Sequence, residues 1–132
     1  MSRRLLVPLL LLAALAGCKS PAMVSGTITY REKIALPADA IVKVAIEDVT
    51  AADAPPRLVA SIAFGAAGRQ VPIPYSLTLN DTRDLDPKHQ YALRVRIESA
   101  TGELMFINDT RYGVITNGVT EQDVVVKRVA AP

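Results

Sequence analysis

The sequence predicts an all-β fold, a single antiparallel β-sandwich of seven to eight strands of the immunoglobulin or transthyretin type. Apolar residues recur at every second position along most of the chain, which is the period of a strand with one buried face. Turn-forming residues separate the alternating segments at short intervals. Amphipathic helix patterns longer than two turns are absent from the sequence.

Four alternating segments form the first half of the domain. We expect one row of residues in each segment to face the core and the other to face water. Loops at 36–39, 54–56 and 65–68 separate them. The expected core-facing rows are, in order, Val24, Gly26, Ile28 and Tyr30; Val42, Val44 and Ile46; Leu58, Ala60, Ile62 and Phe64; and Tyr75, Leu77 and Leu79.

The second half begins with the clearest strand of the sequence, at 91–98. There Tyr91, Leu93, Val95 and Ile97 alternate with Ala92, Arg94, Arg96 and Glu98. The turn pairs Thr101-Gly102 and Asn117-Gly118 are typical of tight connections between strands. Shorter strands are predicted at 104–107, 112–115 and 123–129.

Two of these short segments carry apolar residues on both faces. Met105, Ile107, Val125 and Val129 lie opposite the row that carries Leu104, Phe106, Val124 and Val126. The simpler interpretation is a strand buried on both sides or a different register. The alternative is an exposed apolar strip or sheet edge that receives a partner.

The N-terminal segment has the features of a bacterial lipoprotein signal. Arg3 and Arg4 precede an apolar run of twelve residues, Leu5 to Ala16. As a helix this run would span about 18 Å, well short of the ~30 Å bilayer core, so it favours a cleaved signal. Leu15-Ala16-Gly17-Cys18 resembles the lipobox, in which cleavage falls between Gly17 and Cys18 and the cysteine is acylated. The alternative is an ordinary secretory signal with a chance cysteine at its end.

This interpretation divides the chain into a signal peptide at 1–17, a lipidated tether at 18–23 and a β-sandwich domain at 24–130. Acyl groups on Cys18 would anchor the protein stably to a membrane. Lys19 stands where inner-membrane lipoproteins of enteric bacteria often carry aspartate, which favours the periplasmic face of the outer membrane. Residues 19–23 reach roughly 17 Å when fully extended, so we expect the domain to work close to the bilayer.

Composition excludes several classes of function. The chain has 15 basic and 13 acidic residues. Because Arg3 and Arg4 lie in the predicted signal, the mature chain has no net charge, which argues against nucleic-acid binding. One cysteine and one histidine cannot form an internal disulfide or a histidine-based metal cluster. We therefore predict no metal and no cofactor.

Candidate catalytic residues are few, and the sequence predicts a protein that is not an enzyme. His89 lies in a turn, where bonding to its neighbours is a better interpretation than general-base catalysis. Asp81, Asp84 and Asp86 lack the glycine and glutamate of a calcium loop. Glu47 and Asp48 are adjacent in a strand and should point to opposite faces.

Two further motifs contain residue types that occur in anion-binding sites. Gly65-Ala66-Ala67-Gly68 lacks the lysine and the helix of a phosphate loop, so we interpret it as a turn. Arg94 and Arg96 lie on one strand face and could hold an anionic headgroup or an acidic peptide. A solvated sheet face is the commoner meaning of such a pair.

The domain sequence resembles the YbaY-type lipoproteins, a family grouped with the YscW lipoprotein chaperones. The residues that carry the resemblance span about 24–129 and include Gly26–Arg31, Ile34–Pro37, Glu47–Val49, Val71–Tyr75, Asp86–Ile97 and Phe106–Thr110. The resemblance implies a periplasm-facing lipoprotein with a small β-sandwich. The YscW chaperones are pilotins, which help secretins reach and assemble in the outer membrane.

Together these observations predict a non-enzymatic outer-membrane lipoprotein that binds an envelope protein partner, in the manner of a chaperone or pilotin. The residues that would bind this partner are not identified by the sequence. The first alternative is a binder of a small amphiphile or polysaccharide in a groove between the sheets. A hydrolase based on His89 and a purely structural envelope protein are further alternatives.

Overall fold

A computed structural model of the chain describes residues 22–80, 82 and 85–129. The predicted signal peptide, Gly17, Cys18 and most of the tether lie outside the described residues. Within the described part, no helix is long and apolar enough to cross a membrane. The strands are β1 Ala22–Thr29, β2 Ile41–Asp48, β3 Arg57–Gly65, β4 Ile73–Leu79, β5 Tyr91–Glu98, β6 Leu104–Ile107, β7 Tyr112–Val114, β8 Val124–Val125 and β9 Lys127–Arg128.

The strands form two sheets that pack face to face. The small sheet has the order β4-β1-β8, and the large sheet has the order β3-β2-β5-β6-β9, with β7 also pairing with β5. The predicted all-β sandwich is therefore confirmed. All pairs of strands are antiparallel except β1 and β8, which are parallel. The predicted strand at 123–129 is divided into β8 and β9, which belong to different sheets.

The core lies between the sheets and is built from the alternating residues of their inner faces. In β5 the side chains of Tyr91, Leu93, Val95 and Ile97 are all buried. Phe106 from β6 is fully buried and stacks on Tyr30, with ring centroids 4.3 Å apart and an interplanar angle of 13°. Apolar burial of this kind is the main source of stability for a domain without a disulfide.

A β-bulge changes the direction of one predicted core residue. Ile46 of β2 pairs with Ala60, whereas the next residue, Glu47, pairs with Leu58 and not with Val59. The extra residue reverses the side-chain alternation of β3 at this point. Leu58 is therefore 60% exposed, and the prediction that it faces the core is wrong.

The first strand fixes which end of the sandwich lies nearest the N-terminal segment. Ala22, the first residue of β1, pairs with Leu79 at the end of β4. The end of β4 and the start of β3, at Arg57, line one groove between the sheet edges. Since Arg57 pairs with Asp48, the end of β2 lies at this end of the sandwich too.

Candidate functional site

The loops at the end of the sandwich that carries Ala22 and Arg57 place His89 between two aspartates, Asp48 and Asp86. His89 Nδ1 lies 2.7 Å from Asp48 Oδ2, and its Nε2 lies 3.6 Å from Asp86 Oδ2. Asp48 also accepts hydrogen bonds from the Thr50 hydroxyl at 2.6 Å and the Thr50 amide at 3.0 Å. These Thr50 bonds, followed by the bond to His89, lower the pKa of Asp48 from 3.8 to about 2.

This cluster connects loops and does not have the geometry of a catalytic triad. Both ring nitrogens of His89 face carboxylates, whereas a general base needs one nitrogen directed at a nucleophile. The Thr50 hydroxyl donates to Asp48 and accepts the Gln90 amide at 2.9 Å. His89 is bonded within its own turn, where its amide donates to Asp86 O at 3.0 Å, as the sequence predicts, and its side chain also bonds to Asp48, which the sequence does not predict.

The neighbouring carboxylate, Glu47, points to the opposite face of the sheet, as the sequence predicts for adjacent strand residues. It lies 3.7 Å from Arg94 on β5, on the outer face of the large sheet. Glu47 and Asp48 therefore do not converge. Among the described residues, no group of three or more His, Cys, Asp or Glu side chains could hold a metal ion.

The outer face of the large sheet carries a shallow groove of about 500 Å³, here called the outer groove. Its floor is made by the small residues Ala45, Ser61 and Ala63, which are next to one another on β2 and β3. The exposed side chain of Leu58 forms one wall. The other lining residues with long side chains are Lys43, Glu47, Arg94 and Arg96.

A buried carboxylate holds two of the cations of the outer groove in place. Glu98 is 6% exposed, and its oxygens lie 2.9 Å from Lys43 Nζ and 3.3 Å from Arg96 Nη2. The hydrogen bond from Lys43, with the charges of Lys43 and Arg96, lowers the pKa of Glu98. With Arg94 and Glu47, the outer groove and Glu98 bring together three cations and two carboxylates, so one positive charge remains there; Lys127, elsewhere on the same face, is paired with Asp109.

The structure thus brings Arg94 and Arg96 together with residues that the sequence did not single out. Lys43 is three strands away from Arg96 in sequence order, on β2 against β5, but directly opposite it in the sheet. The alternation of the sequence predicts a core position for Leu58, and the bulge that exposes this residue has no signal in the local sequence. The alternation of Lys43 and Ala45 with buried valines is the one signal that places them on an outer face.

Other sequence candidates lie elsewhere. Met105, Ile107, Val125 and Val129 are half-buried and do not form an exposed strip. Residues 65–68 form a turn, as predicted, with the Ala66 amide donating to Ala40 O at 2.7 Å. Asp81 and Asp84 lie outside the described residues.

The space between the sheets is filled by the buried side chains of both inner faces. An opening of about 480 Å³ remains at one side, between the edges formed by β3 and β4. Val59, Ala60, Leu79 and Leu85 lie beside Ser61, Thr78 and Asn80 in this opening. An enclosed amphiphile cavity, one form of the first alternative function, is therefore not supported by the packing of the described residues.

Three comparisons with known proteins identify what this chain is similar to. The family model described as "Type III secretion system lipoprotein chaperone (YscW)" matches residues 19–126. The "Uncharacterized lipoprotein YbaY" of Escherichia coli K12 is 38% identical over 112 residues, which cover 83% of this chain and 58% of that protein. The chain thus spans little more than half the length of this relative.

The third comparison is with a solved structure, that of an alternative pilotin from the type II secretion system of Vibrio cholerae. It superposes with a TM-score of 0.80 and is 38% identical in sequence. The match covers 85% of this chain and 100% of that chain.

Proposed function

Because this chain belongs to the YscW family of type III secretion system lipoprotein chaperones, we propose that it is a membrane-anchored chaperone for another protein of the bacterial envelope. The similarity to a pilotin supports a role in bringing that partner to its membrane. A secretin is the specific partner that the family resemblance implies. In this proposal the protein binds and escorts, and it catalyses no reaction.

The proposed anchor is a set of acyl chains on Cys18, at the periplasmic face of the outer membrane. The first strand begins at Ala22, so four residue steps from Cys18 span at most about 14 Å. The end of the sandwich that carries Ala22, Leu79 and Arg57 would therefore lie against the bilayer. The strands would then rise away from the membrane, with their outer faces accessible from the side.

The observation that carries the proposal is the outer groove. It combines an exposed leucine and a floor of small residues with cations held in fixed positions by Glu98 and Glu47. Partner sites in proteins commonly have this combination of an apolar centre and a charged rim. The Asp48–Thr50–His89 cluster, by contrast, has its polar groups bonded to one another.

Replacement of Cys18 by alanine tests the anchor. We expect Cys18→Ala to lose lipid labelling and to move from the membrane fraction to the soluble periplasmic fraction. The wild-type protein expressed at the same level is the control. Labelled, membrane-bound Cys18→Ala protein would overturn the assignment of Cys18.

Site-specific photocrosslinking in cells tests the partner surface. A photoreactive phenylalanine analogue at Ala63 lies in the outer groove, and the same analogue at Ser76 lies on the exposed face of the small sheet. We expect a discrete crosslinked product from Ala63 and none from Ser76. If both positions gave the same products, or neither gave any, the groove would not be the working surface.

Deletion of the gene tests whether the partner is a secretin. If it is, we expect the amount of assembled secretin multimers to be lower in the deletion strain than in the wild type.

A further inference from the structure

We infer that β3 is a docking edge, to which an extended segment of the partner protein adds as a further strand of the large sheet. Among the described strands, only β2 pairs with β3, so its other side is free of strand pairing. The strand is nine residues long, and Arg57 is its one charged residue. It contains no proline. This inference rests on the proposed function and gives it a binding mode.

The other described edges of the sandwich carry the features that normally prevent strand addition. β4 contains Pro74, which cannot donate a ladder hydrogen bond. β8 and β9 are two residues long, and β7 is three residues long. Proteins protect their edge strands by such devices because an unpaired edge is a template for another chain. β3 has its bulge only near its start, at Val59, and residues 60–65 beyond it are regular, uncharged and unpaired by any described strand on their outer side, which indicates an edge that is used.

The two surfaces beside β3 define the chemistry of the added strand. The side chains of an added strand would alternate between the two faces of the sheet. On one face they would lie against the outer groove, about 10 Å, or two strand spacings, from the row of β2 that holds Lys43. The uncompensated positive charge of that face favours acidic residues. On the other face they would enter the opening lined by Val59, Leu79 and Leu85, which favours apolar residues.

A second copy of this chain fits the edge less well than a partner segment does. Two copies pairing through β3 about a two-fold axis would run antiparallel. Nine residues span roughly 30 Å, so the anchor end of one copy would lie that far from the anchor end of the other. In the upright orientation proposed above, the anchor end of the second copy would lie about 30 Å from the bilayer, beyond the reach of about 14 Å that the four residue steps between Cys18 and Ala22 provide.

The occupant is therefore an extended peptide in which acidic and apolar residues alternate. The probe is the synthetic peptide acetyl-(Val-Glu)4-amide, added to the purified acylated protein in detergent micelles. Affinity is measured by titration, and hydrogen exchange of the β3 amides is measured with and without peptide. We expect saturating peptide to slow exchange at the free edge of β3 at least about tenfold, because edge amides gain hydrogen bonds.

Two peptide controls and two protein variants separate strand addition from other binding. We expect acetyl-(Val-Lys)4-amide, and the acidic peptide N-methylated at alternate residues, to bind at least about tenfold more weakly. Ser61→Glu, which places a negative charge on the outer row of β3, should weaken binding at least about tenfold. Ser76→Glu, the matched change on the exposed face of β4, should alter it less than about twofold.

Several results would overturn the inference. These are no binding at about 1 mM peptide, equal affinity for the acidic and basic peptides, or binding without protection of β3. Protection of β3 in a peptide-free dimer would assign the edge to a second copy. An unacylated Cys18 in the native protein would overturn the anchor, and with it the argument against a dimer, while the peptide result would stand independently.

Discussion

A methyl group at Gly26 should destabilise the fold more than its size suggests. Gly26 lies in the middle of β1, opposite Tyr75 of β4. A Cβ atom there would overlap the backbone carbonyl of Gln122, which crosses β1 at this point. Because the neighbouring atom is backbone and not a flexible side chain, the crossing segment itself would have to move.

The cost follows from the bonds that fix this crossing. The Gln122 amide donates to Ser25 O at 2.8 Å, and the Tyr75 hydroxyl donates to Gln122 O at 2.5 Å. Overpacking costs about 1–3 kcal/mol, and each weakened hydrogen bond adds about 1 kcal/mol. We therefore expect Gly26→Ala to lower the free energy of unfolding by about 2–5 kcal/mol, which corresponds to a fall of about 8–20 °C in Tm.

Denaturant unfolding followed by circular dichroism measures this difference. Gly65→Ala is the matched control, because Gly65 is the exposed last residue of an edge strand and a Cβ there has no atom within 4 Å. It should change the free energy of unfolding by less than about 0.5 kcal/mol. If Gly26→Ala were as stable as Gly65→Ala, the close approach of Gln122 to β1 would be wrong.

Two further predictions concern the core and the loop cluster. Phe106→Ala should lower the free energy of unfolding by about 3–5 kcal/mol, because Phe106 is fully buried. Leu58→Ala, at an exposed position, should lower it by less than about 1 kcal/mol. Equal effects of the two substitutions would contradict the assigned burial. The bonds from Thr50 and His89 hold the pKa of Asp48 at about 2 in the folded state, below its ordinary 3.8, so their stabilisation is complete above pH 3.8 and is lost as the pH falls towards 2. The urea midpoint of Asp48→Asn should therefore fall less steeply than that of the wild type between about pH 4 and pH 2, and parallel curves would remove the role assigned to this carboxylate.

The regular part of the fold could be predicted from local pattern. Ile97 and its alternate neighbours in β5 are buried because a period of two places them on one face, whatever the partner strand is. The hairpin at Thr101-Gly102 is predictable for a similar reason, since Gly102 has a φ of 88° that few residues other than glycine adopt. Both features depend on residues close together in the chain.

The candidate site could be predicted only in part, because it depends on pairings between distant segments. Arg94 and Arg96 share a face by simple alternation, but their neighbours Lys43 and Leu58 come from other strands whose register the sequence does not specify. The bond between His89 and Asp48 joins residues 41 positions apart. Neither the bulge that exposes Leu58 nor this bond has a local signal.

The division of the C-terminal segment between the two sheets has a consequence for how the protein folds. β8 adds to the small sheet and β9 adds to the large one, so the last strands close both layers. Val124 and Val126, on either side of the crossing, are buried between the layers. A chain whose residues 121–129 are not yet available would lack this closure, so we expect the two sheets to be completed only after this segment joins them.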